Sequence, residues 1–302
     1  VNIPPYTVEI VPILDIKKAV EAKNITDFSH LHVQYVQKHK KLTDDIRLAK
    51  LFAKAQGVYG AESYLQGFSG YVMELLVIHY GSFMKMIRAV AKWKPRVIIG
   101  SKKVAERLNA AKKVSPLILI DPVQPERNAA AALSEEKYKQ LIKACQQFLK
   151  HPSEKMFEEE DINWEQLKRR GKVLYCQVTP LKTKKDVAGA KLLKAFDYCR
   201  QELTRQGFKL ITAGWQYNAP SFMYFVVNKK PLQSTMLRQG PPLKHQQGVL
   251  HFRKQHKKII TKKNRLYAEV PRLFIHPEDC VKAALASNNV AERVQNASLT
   301  IL

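Results

Sequence analysis

The segment from His251 to Arg265 (HFRKQHKKIITKKNR) carries seven cationic side chains that can bind phosphate. These are Arg253, Lys254, Lys257, Lys258, Lys262, Lys263 and Arg265. Phe252 and Tyr267 lie in or beside the run and offer rings on which nucleic-acid bases can stack. A charged face that is merely solvated gives the same pattern, so this segment by itself leaves RNA contact and simple solvation open. Two shorter basic groups, Lys102-Lys103 and Lys168-Arg169-Arg170, are weaker candidates for the same contact.

The overall charge of the chain favours a polyanionic partner. The 302 residues include 51 Lys and Arg against 26 Asp and Glu, which gives a formal net charge of +25. Nucleic acid is the usual partner of so basic a protein. The main alternative is an anionic membrane, but no basic amphipathic helix has a Trp- or Phe-rich face, and no apolar run approaches the ~18–20 residues of a membrane span. We therefore expect a nucleic-acid partner and no membrane.

Glu9 is a carboxylate at the end of a strand-like segment. Tyr6, Val8 and Ile10 alternate with polar residues, which is typical of a half-buried strand, and Glu9 lies on the opposite face, shortly before Pro12. The simplest interpretation is an exposed strand carboxylate. The alternative is a metal ligand, because phosphoryl transfer needs several carboxylates that converge on magnesium, and strand ends hold them rigidly.

The elements that must position these residues follow from periodicity and capping. Residues Thr43 to Asp45 begin a helix that Gly57 ends, and Ser134 caps a second helix with apolar residues at helical spacing. Residues 97–99 and 117–120 are predicted as short strands. The acidic stretch Glu154 to Glu160 is poorly patterned and indicates a domain boundary.

After that boundary the pattern changes to strands mixed with a helix. Residues 173–178, 209–212 and 222–227 are predicted as strands, and a helical apolar stripe at 192–203 ends at Gly207. This β-α-β-β order predicts an α+β domain with helices on one face of an antiparallel sheet.

The four cysteines are far apart and form no CxxC pair. They are Cys145, Cys176, Cys199 and Cys280. Their spacing argues against a zinc site and predicts buried free thiols in a reducing compartment, hence a cytoplasmic protein.

Residues 57–62 (GVYGAE) and 67–83 (GFSGYVMELLVIHYGSF) place glycines around helical apolar spacing, which indicates turns or close backbone approach between packed helices. These motifs closely resemble the central region of archaeal CCA-adding enzymes, the class I tRNA nucleotidyltransferases. The likeness continues in order over most of the chain. It implies template-independent addition of C, C and A to the 3′ acceptor end of tRNA from CTP and ATP, with two magnesium ions.

The resemblance also implies roles for individual residues. His32, Lys50 and Tyr59 correspond to positions that contact the nucleotide triphosphate, and Arg127 in DPVQPERN (121–128) corresponds to an arginine that reads the base of CTP or ATP. Glu9 corresponds to the third metal-binding and catalytic carboxylate of the family. That residue is normally Asp, so the extra methylene of Glu9 is a departure from the family pattern.

By the same resemblance, residues 1–32 are expected to be the end of a nucleotidyltransferase palm and residues 33–158 a helical central domain. Residues 159–183 and 268–302 would form a C-terminal body, and 184–267 a tRNA-binding tail. The family opens with a Gly-Ser pair followed by paired acidic residues. Neither Gly81-Ser82 nor Gly100-Ser101 has such a pair downstream, so we expect most of the catalytic head to lie before Val1.

Three functions remain open on the sequence. The first is CCA addition, with this chain alone inactive for want of the head. The second is a nucleotidyltransferase of the poly(A)-polymerase type, which would use ATP alone and ignore tRNA shape. The third is a non-catalytic RNA-binding descendant. The sequence also leaves open whether the protein forms a homodimer.

Overall fold

The computed structural model describes residues 2–3, 6–8, 10–159 and 161–302. The chain divides into two compact units, residues 1–161 and 162–302. Both units combine helices with separate, mainly antiparallel sheets, which confirms the predicted α+β class. Among the described residues, no helix has both the length and the apolar character needed to cross a bilayer.

The first unit begins with a two-stranded antiparallel hairpin of β1 (Asn2–Ile3) and β2 (Tyr6–Thr7). The strand predicted over residues 6–11 was therefore too long. Ile10 is 79% exposed, although the alternating pattern placed it on a buried face. β2 ends at Thr7, so the described residues Val8, Ile10 and Val11 are not part of a strand. Glu9, the candidate metal ligand, lies outside the described residues.

In the described part of the first unit, this hairpin is followed by six α-helices, a parallel strand pair and several short 3₁₀ helices. The helices are α1 (Ser29–Gln37), α2 (Thr43–Ala55), α3 (Gly70–Tyr80), α4 (Phe83–Val90), α5 (Lys102–Arg107) and α6 (Glu135–Lys150), and the strands are β3 (Val97–Ile99) and β4 (Leu117–Leu119). The predicted starts of α2 and α6 are confirmed. The hydroxyl of Ser134 accepts a hydrogen bond from the amide of Lys137, which satisfies one of the free amides of the first turn of α6.

The core of the first unit contains an aromatic cluster in which Phe52, Phe83 and Phe148 meet edge to face. The centroids of the Phe52 and Phe148 rings are 5.6 Å apart, and those of Phe52 and Phe83 are 5.9 Å apart. Edge-to-face pairs add roughly 0.5–1.5 kcal/mol to the stabilisation from burial. Because the three rings come from α2, α4 and α6, the cluster fixes the helix that carries Lys50.

Gly67 and Gly81, in the motifs of residues 57–83, occupy positions where the backbone requires glycine. A β-carbon on Gly67 would lie 2.2 Å from the carbonyl oxygen of Val58, so only glycine allows the backbone of residues 58–68 to close on itself. Gly81 ends α3 with φ near 81°, and the hydroxyl of Ser82 then caps α4. The prediction of turns and close backbone approach is confirmed, and Gly81-Ser82 is the turn between two helices.

The second unit contains two antiparallel sheets. The larger sheet has the order β11-β5-β7-β6 and the smaller one β8-β10-β9. The strands are β5 (Lys172–Pro180), β6 (Leu210–Gln216), β7 (Phe222–Val227), β8 (Thr235–Pro242), β9 (Ile259–Lys262), β10 (Arg265–Pro271) and β11 (Val294–Ile301). The helices are α7 (Trp164–Arg170), α8 (Lys185–Arg205), α9 (Gln246–Gln255), α10 (Pro277–Leu285) and α11 (Asn288–Ala291). The predicted β-α-β-β order is confirmed by β5, α8, β6 and β7.

The four cysteines are free and buried, as predicted. Burial raises the pKa of Cys145 to about 12 and that of Cys280 to about 11, because a thiolate is poorly solvated in an apolar core. These thiols are therefore core packing groups and not nucleophiles.

Candidate functional site

The first turn of α3 is the centre of the candidate site. Ser69 precedes it, and its hydroxyl accepts a hydrogen bond from the amide of Val72. The amides of Gly70 and Tyr71 are the first two of the helix and have no intrahelical acceptor, as in any α-helix. With the helix dipole they make this end of α3 attractive to anions.

Lys50 and Tyr59 both lie beside this turn. A β-carbon on Gly70 would be 2.7 Å from the Tyr59 hydroxyl and 3.7 Å from the Lys50 amino group, so glycine leaves the space that these two groups occupy. The Lys50 Nζ forms a 2.6 Å ion pair with Oε1 of Glu74, one turn further along α3. Two residues predicted to contact a triphosphate are thus brought together, although nine positions separate them in sequence.

His32 reaches the same turn from α1. Its ring is stacked on that of Tyr71, with the centroids 4.1 Å apart. A cleft of about 430 Å³ opens between α1 and the start of α3. Its lining includes His32, Gly70, Tyr71 and Glu74. The Lys50 amino group, paired with Glu74 of this lining, and the N-terminus of α3 lie beside the cleft.

Asp121, two residues after the end of β4, connects this turn to Arg127. The residue is fully buried, and its Oδ1 accepts a 3.0 Å hydrogen bond from the Tyr71 hydroxyl. Its Oδ2 lies 3.0 Å from Nη1 of Arg127, which donates to it. The Nε2 atom of His32 is 3.2 Å from the same Oδ2, within ion-pair distance but without the alignment of a hydrogen bond.

The contacts of Asp121 decide its charge state. Burial by itself raises the pKa of a carboxyl group, but His32, the amide of Val123 and the Tyr71 hydroxyl outweigh this effect and lower the pKa of Asp121 below its usual value. Burial and the neighbouring carboxylate of Asp121 also raise the pKa of the Tyr71 hydroxyl well above its usual range. The site therefore holds a carboxylate and a neutral tyrosine near pH 7.

Backbone and side-chain hydrogen bonds hold the loop of residues 121–128 in place. The amide of Asp121 donates to the carbonyl of Arg127, and the amide of Arg127 donates to that of Gln124. The buried side chain of Asn128 accepts from the amide of Leu119 and donates to the carbonyl of Leu117, which ties the end of the loop to β4. This rigid loop presents the Arg127 side chain, which remains about one third exposed.

The structure brings together all four residues predicted to bind nucleotide: His32, Lys50, Tyr59 and Arg127. Sequence reasoning missed three others, namely Tyr71, Glu74 and Asp121, although all three lie inside the motifs that carried the resemblance. Their side chains contact partners 24 or 50 positions away along the chain. The one available signal was that Asp121 directly follows an apolar strand, where a carboxylate needs a reason to be buried.

The predicted RNA-binding residues lie on α9, on the segment that joins it to β9, and on the β9–β10 hairpin. Six of the seven are exposed, while Arg265 is partly buried and donates to the carbonyl of Gly240. The expectation that Phe252 is available for stacking was wrong. Phe252 is only 8% exposed, because it packs on Leu266 and Ala268 as the core of the small sheet. Tyr267 alternates with these two residues and so lies on the face away from α9.

The described residues do not supply a metal centre by themselves. Among them no three His, Cys, Asp or Glu side chains are grouped as possible ligands of one ion. Glu9 lies outside the described residues, so its role as a magnesium ligand remains a prediction from family resemblance.

Each of the two units matches a known protein family. Residues 44–158 match the family model described as tRNA nucleotidyltransferase, second domain, and residues 178–297 match that of the CCA-adding enzyme, C-terminal domain. Curated CCA-adding enzymes of Methanoregula boonei, Pyrobaculum islandicum and Saccharolobus shibatae are each 31% identical, over 93, 96 and 98% of this chain. The chain spans 64, 69 and 70% of their respective lengths, about two thirds. The chain therefore belongs to the family of CCA-adding enzymes of archaeal type, which are tRNA nucleotidyltransferases.

Proposed function

We propose that this chain serves the template-independent addition of CCA to the 3′ end of tRNA, and that the cleft beside α3 takes the incoming CTP or ATP. One observation carries the proposal. His32, Lys50 and Tyr59, which come from separate segments, meet at a helix N-terminus, and Arg127 is joined to the same place through Asp121.

The two ends of the site suit different parts of a nucleotide. The helix N-terminus, the Lys50 ammonium, the Tyr59 hydroxyl and the His32 ring can all donate to phosphate oxygens. Arg127 uses one nitrogen to bind Asp121 and keeps further guanidinium donors for acceptors on a base edge. We assign the phosphates to the first end and the base to the second.

The second unit supports the proposal by its charge. Six exposed cationic residues on α9, on the following segment and on the β9–β10 hairpin can neutralise phosphates of a tRNA. They are Arg253, Lys254, Lys257, Lys258, Lys262 and Lys263. Tyr267 on the open face of the small sheet offers a ring for base stacking. The division into a body (159–183 and 268–302) and a tail (184–267) remains part of this proposal, as does a cytoplasmic location, which free buried thiols suit.

A homodimer is the remaining partner that we propose, and β11 supports it. This eight-residue strand is at the edge of the larger sheet and contains no charged residue and no proline. Such edges are usually protected by charges or proline, because their free backbone groups pair with other strands. Pairing with β11 of a second copy would satisfy them. Replacement of the exposed residues Asn296 and Ser298 by lysine should then convert a dimer, measured by light scattering, into a monomer.

Addition of labelled CTP and ATP to tRNA lacking its CCA end tests the proposal. The 302-residue chain is expected to bind both nucleotides weakly and tRNA firmly, but to add nothing, because Glu9 alone cannot hold two magnesium ions. Joined behind the first domain of one of the relatives, it should add C, C and A. In that longer protein Glu9→Ala should abolish addition, and Glu9→Asp should preserve or improve it.

The outcomes separate the alternatives. Extension with ATP alone, on an unstructured RNA as readily as on tRNA, would show an enzyme of the poly(A)-polymerase type. Firm tRNA binding without any nucleotide binding would show a non-catalytic RNA-binding protein. Addition by the isolated chain would mean that the metal ligands lie elsewhere and that Glu9 is wrongly assigned.

A further inference from the structure

We propose that Asp121 is a positioning residue that fixes Arg127 relative to His32 and so couples the choice of base to the contact with the triphosphate. The inference rests on the proposed function, because it concerns the same nucleotide site. Nothing in the motifs assigned a role to Asp121 or to Tyr71, through which Asp121 is held.

The geometry around the carboxylate supports an orienting role and not direct ligand binding. Oδ1 accepts from the Tyr71 hydroxyl at 3.0 Å and from the amide of Val123 at 2.9 Å. Oδ2 accepts from Arg127 and faces His32. Both oxygens are occupied, and the side chain is completely buried. A buried carboxylate without a cation would be strongly unfavourable, so Asp121 holds the guanidinium in place.

An arginine must be oriented if it is to exclude the wrong base. A free guanidinium pairs readily with O6 and N7 of guanine, so flexibility at Arg127 would admit GTP. Attachment of Nη1 to Asp121 leaves the other donors in one fixed arrangement. Selection of CTP and ATP therefore requires Asp121 as much as Arg127.

Tyr71 links Asp121 to His32, at the end of the site that we assign to the phosphates. Its ring is stacked on His32, and its hydroxyl is bonded to Asp121, so one side chain contacts both. Tyr71→Phe removes the hydrogen bond and keeps the stack. Asp121→Asn keeps the shape and an acceptor but removes the charge that holds Arg127. The two variants weaken the same connection by different means.

Binding of CTP, ATP, GTP and UTP to the complete 302-residue chain, in the presence of tRNA lacking its CCA end, tests the inference. Asp121→Asn should lower the preference for CTP over GTP by at least about tenfold, as expected for a lost hydrogen bond between charged groups. Tyr71→Phe should act in the same direction and less strongly. In the background of Arg127→Ala, Asp121→Asn should have no further effect on the preference. Asp45→Asn is the matched control, because Asp45 accepts a hydrogen bond from the amide of Phe83 at the start of α4, away from Arg127.

A second readout does not depend on nucleotide. In the ¹⁵N NMR spectrum of the free protein, hindered rotation of the Arg127 guanidinium should give separate Nη signals that merge in Asp121→Asn and remain separate in Asp45→Asn. If Asp121→Asn does not fold, the nucleotide preference of Tyr71→Phe tests the role of Asp121, since this variant leaves the carboxylate in place.

These measurements distinguish a failure of the proposed function from a failure of the role of Asp121. A wild-type chain that binds none of the four nucleotides contradicts the proposed function itself. A wild-type chain that prefers CTP, together with an unchanged preference in both Asp121→Asn and Tyr71→Phe, overturns only the role of Asp121. Unchanged Arg127 signals in Asp121→Asn overturn that role as well.

Discussion

Lys50 and Glu74 form a 2.6 Å ion pair at the first turn of α3, although 24 positions separate them in the sequence. The amino group proposed to bind a triphosphate is thus held by a carboxylate in the free protein. Both side chains are partly buried, and Glu74 lines the cleft. A bound triphosphate must share Lys50 with Glu74 and lie close to a negative charge.

Glu74→Gln should therefore raise the affinity for nucleotide. Removal of one nearby negative charge is worth about 1 kcal/mol at a partly solvated site, which corresponds to roughly fivefold tighter binding of ATP. Equilibrium dialysis with labelled ATP measures the change. Glu135→Gln is the control, because Glu135 forms an exposed pair with Lys139 and should leave the affinity unchanged. Weaker binding in Glu74→Gln would mean that Glu74 holds Lys50 in its binding position.

Gly70→Ala should fold normally and lose nucleotide affinity. Alanine favours helices over glycine by up to about 1 kcal/mol, so the melting temperature should not fall. The new methyl group would meet the Tyr59 hydroxyl at 2.7 Å and displace it. If this hydroxyl donates to a phosphate, binding should weaken about tenfold, and Tyr59→Phe should show a similar loss. Full affinity in Tyr59→Phe would remove Tyr59 from the site.

Particular residues show what the sequence could and could not predict. Ser134 marked the start of α6 because capping is local chemistry. The motifs proposed Lys50, Tyr59 and Arg127 as nucleotide ligands, which stays a prediction. Asp121 and Glu74 were missed because their roles depend on partners brought together only by folding. The same limit explains Phe252. Its basic neighbours suggested an exposed aromatic ring, whereas the helical period of α9 places Phe252, like Val249, against the small sheet.

The basic residues of the second unit should govern the salt dependence of tRNA binding. Replacement of Lys257, Lys258, Lys262 and Lys263 by glutamine should weaken binding and flatten the plot of log affinity against log salt, by up to about 0.7–0.9 for each lost phosphate contact. A control with the same change in charge replaces the exposed residues Lys139, Lys143, Lys150 and Lys155 of the first unit. Equal slopes for both quadruple variants would show that residues 257–263 are only solvated.

Phe252 and Tyr267 should respond in opposite ways to truncation, because they lie on opposite faces of the small sheet. Phe252→Ala removes the ring that packs on Leu266 and Ala268 and should destabilise this part of the second unit by about 3–5 kcal/mol. Hydrogen exchange should then become faster in β9 and β10.

Tyr267→Ala should leave the hydrogen-exchange protection of β9 and β10 nearly unchanged but weaken tRNA binding by about 1–3 kcal/mol, the usual contribution of one stacked base. Tyr267→Phe retains the ring and should restore the affinity. If Tyr267→Ala binds tRNA as tightly as the wild type, the open face of the sheet does not contact RNA, and the affinity comes from the lysines alone.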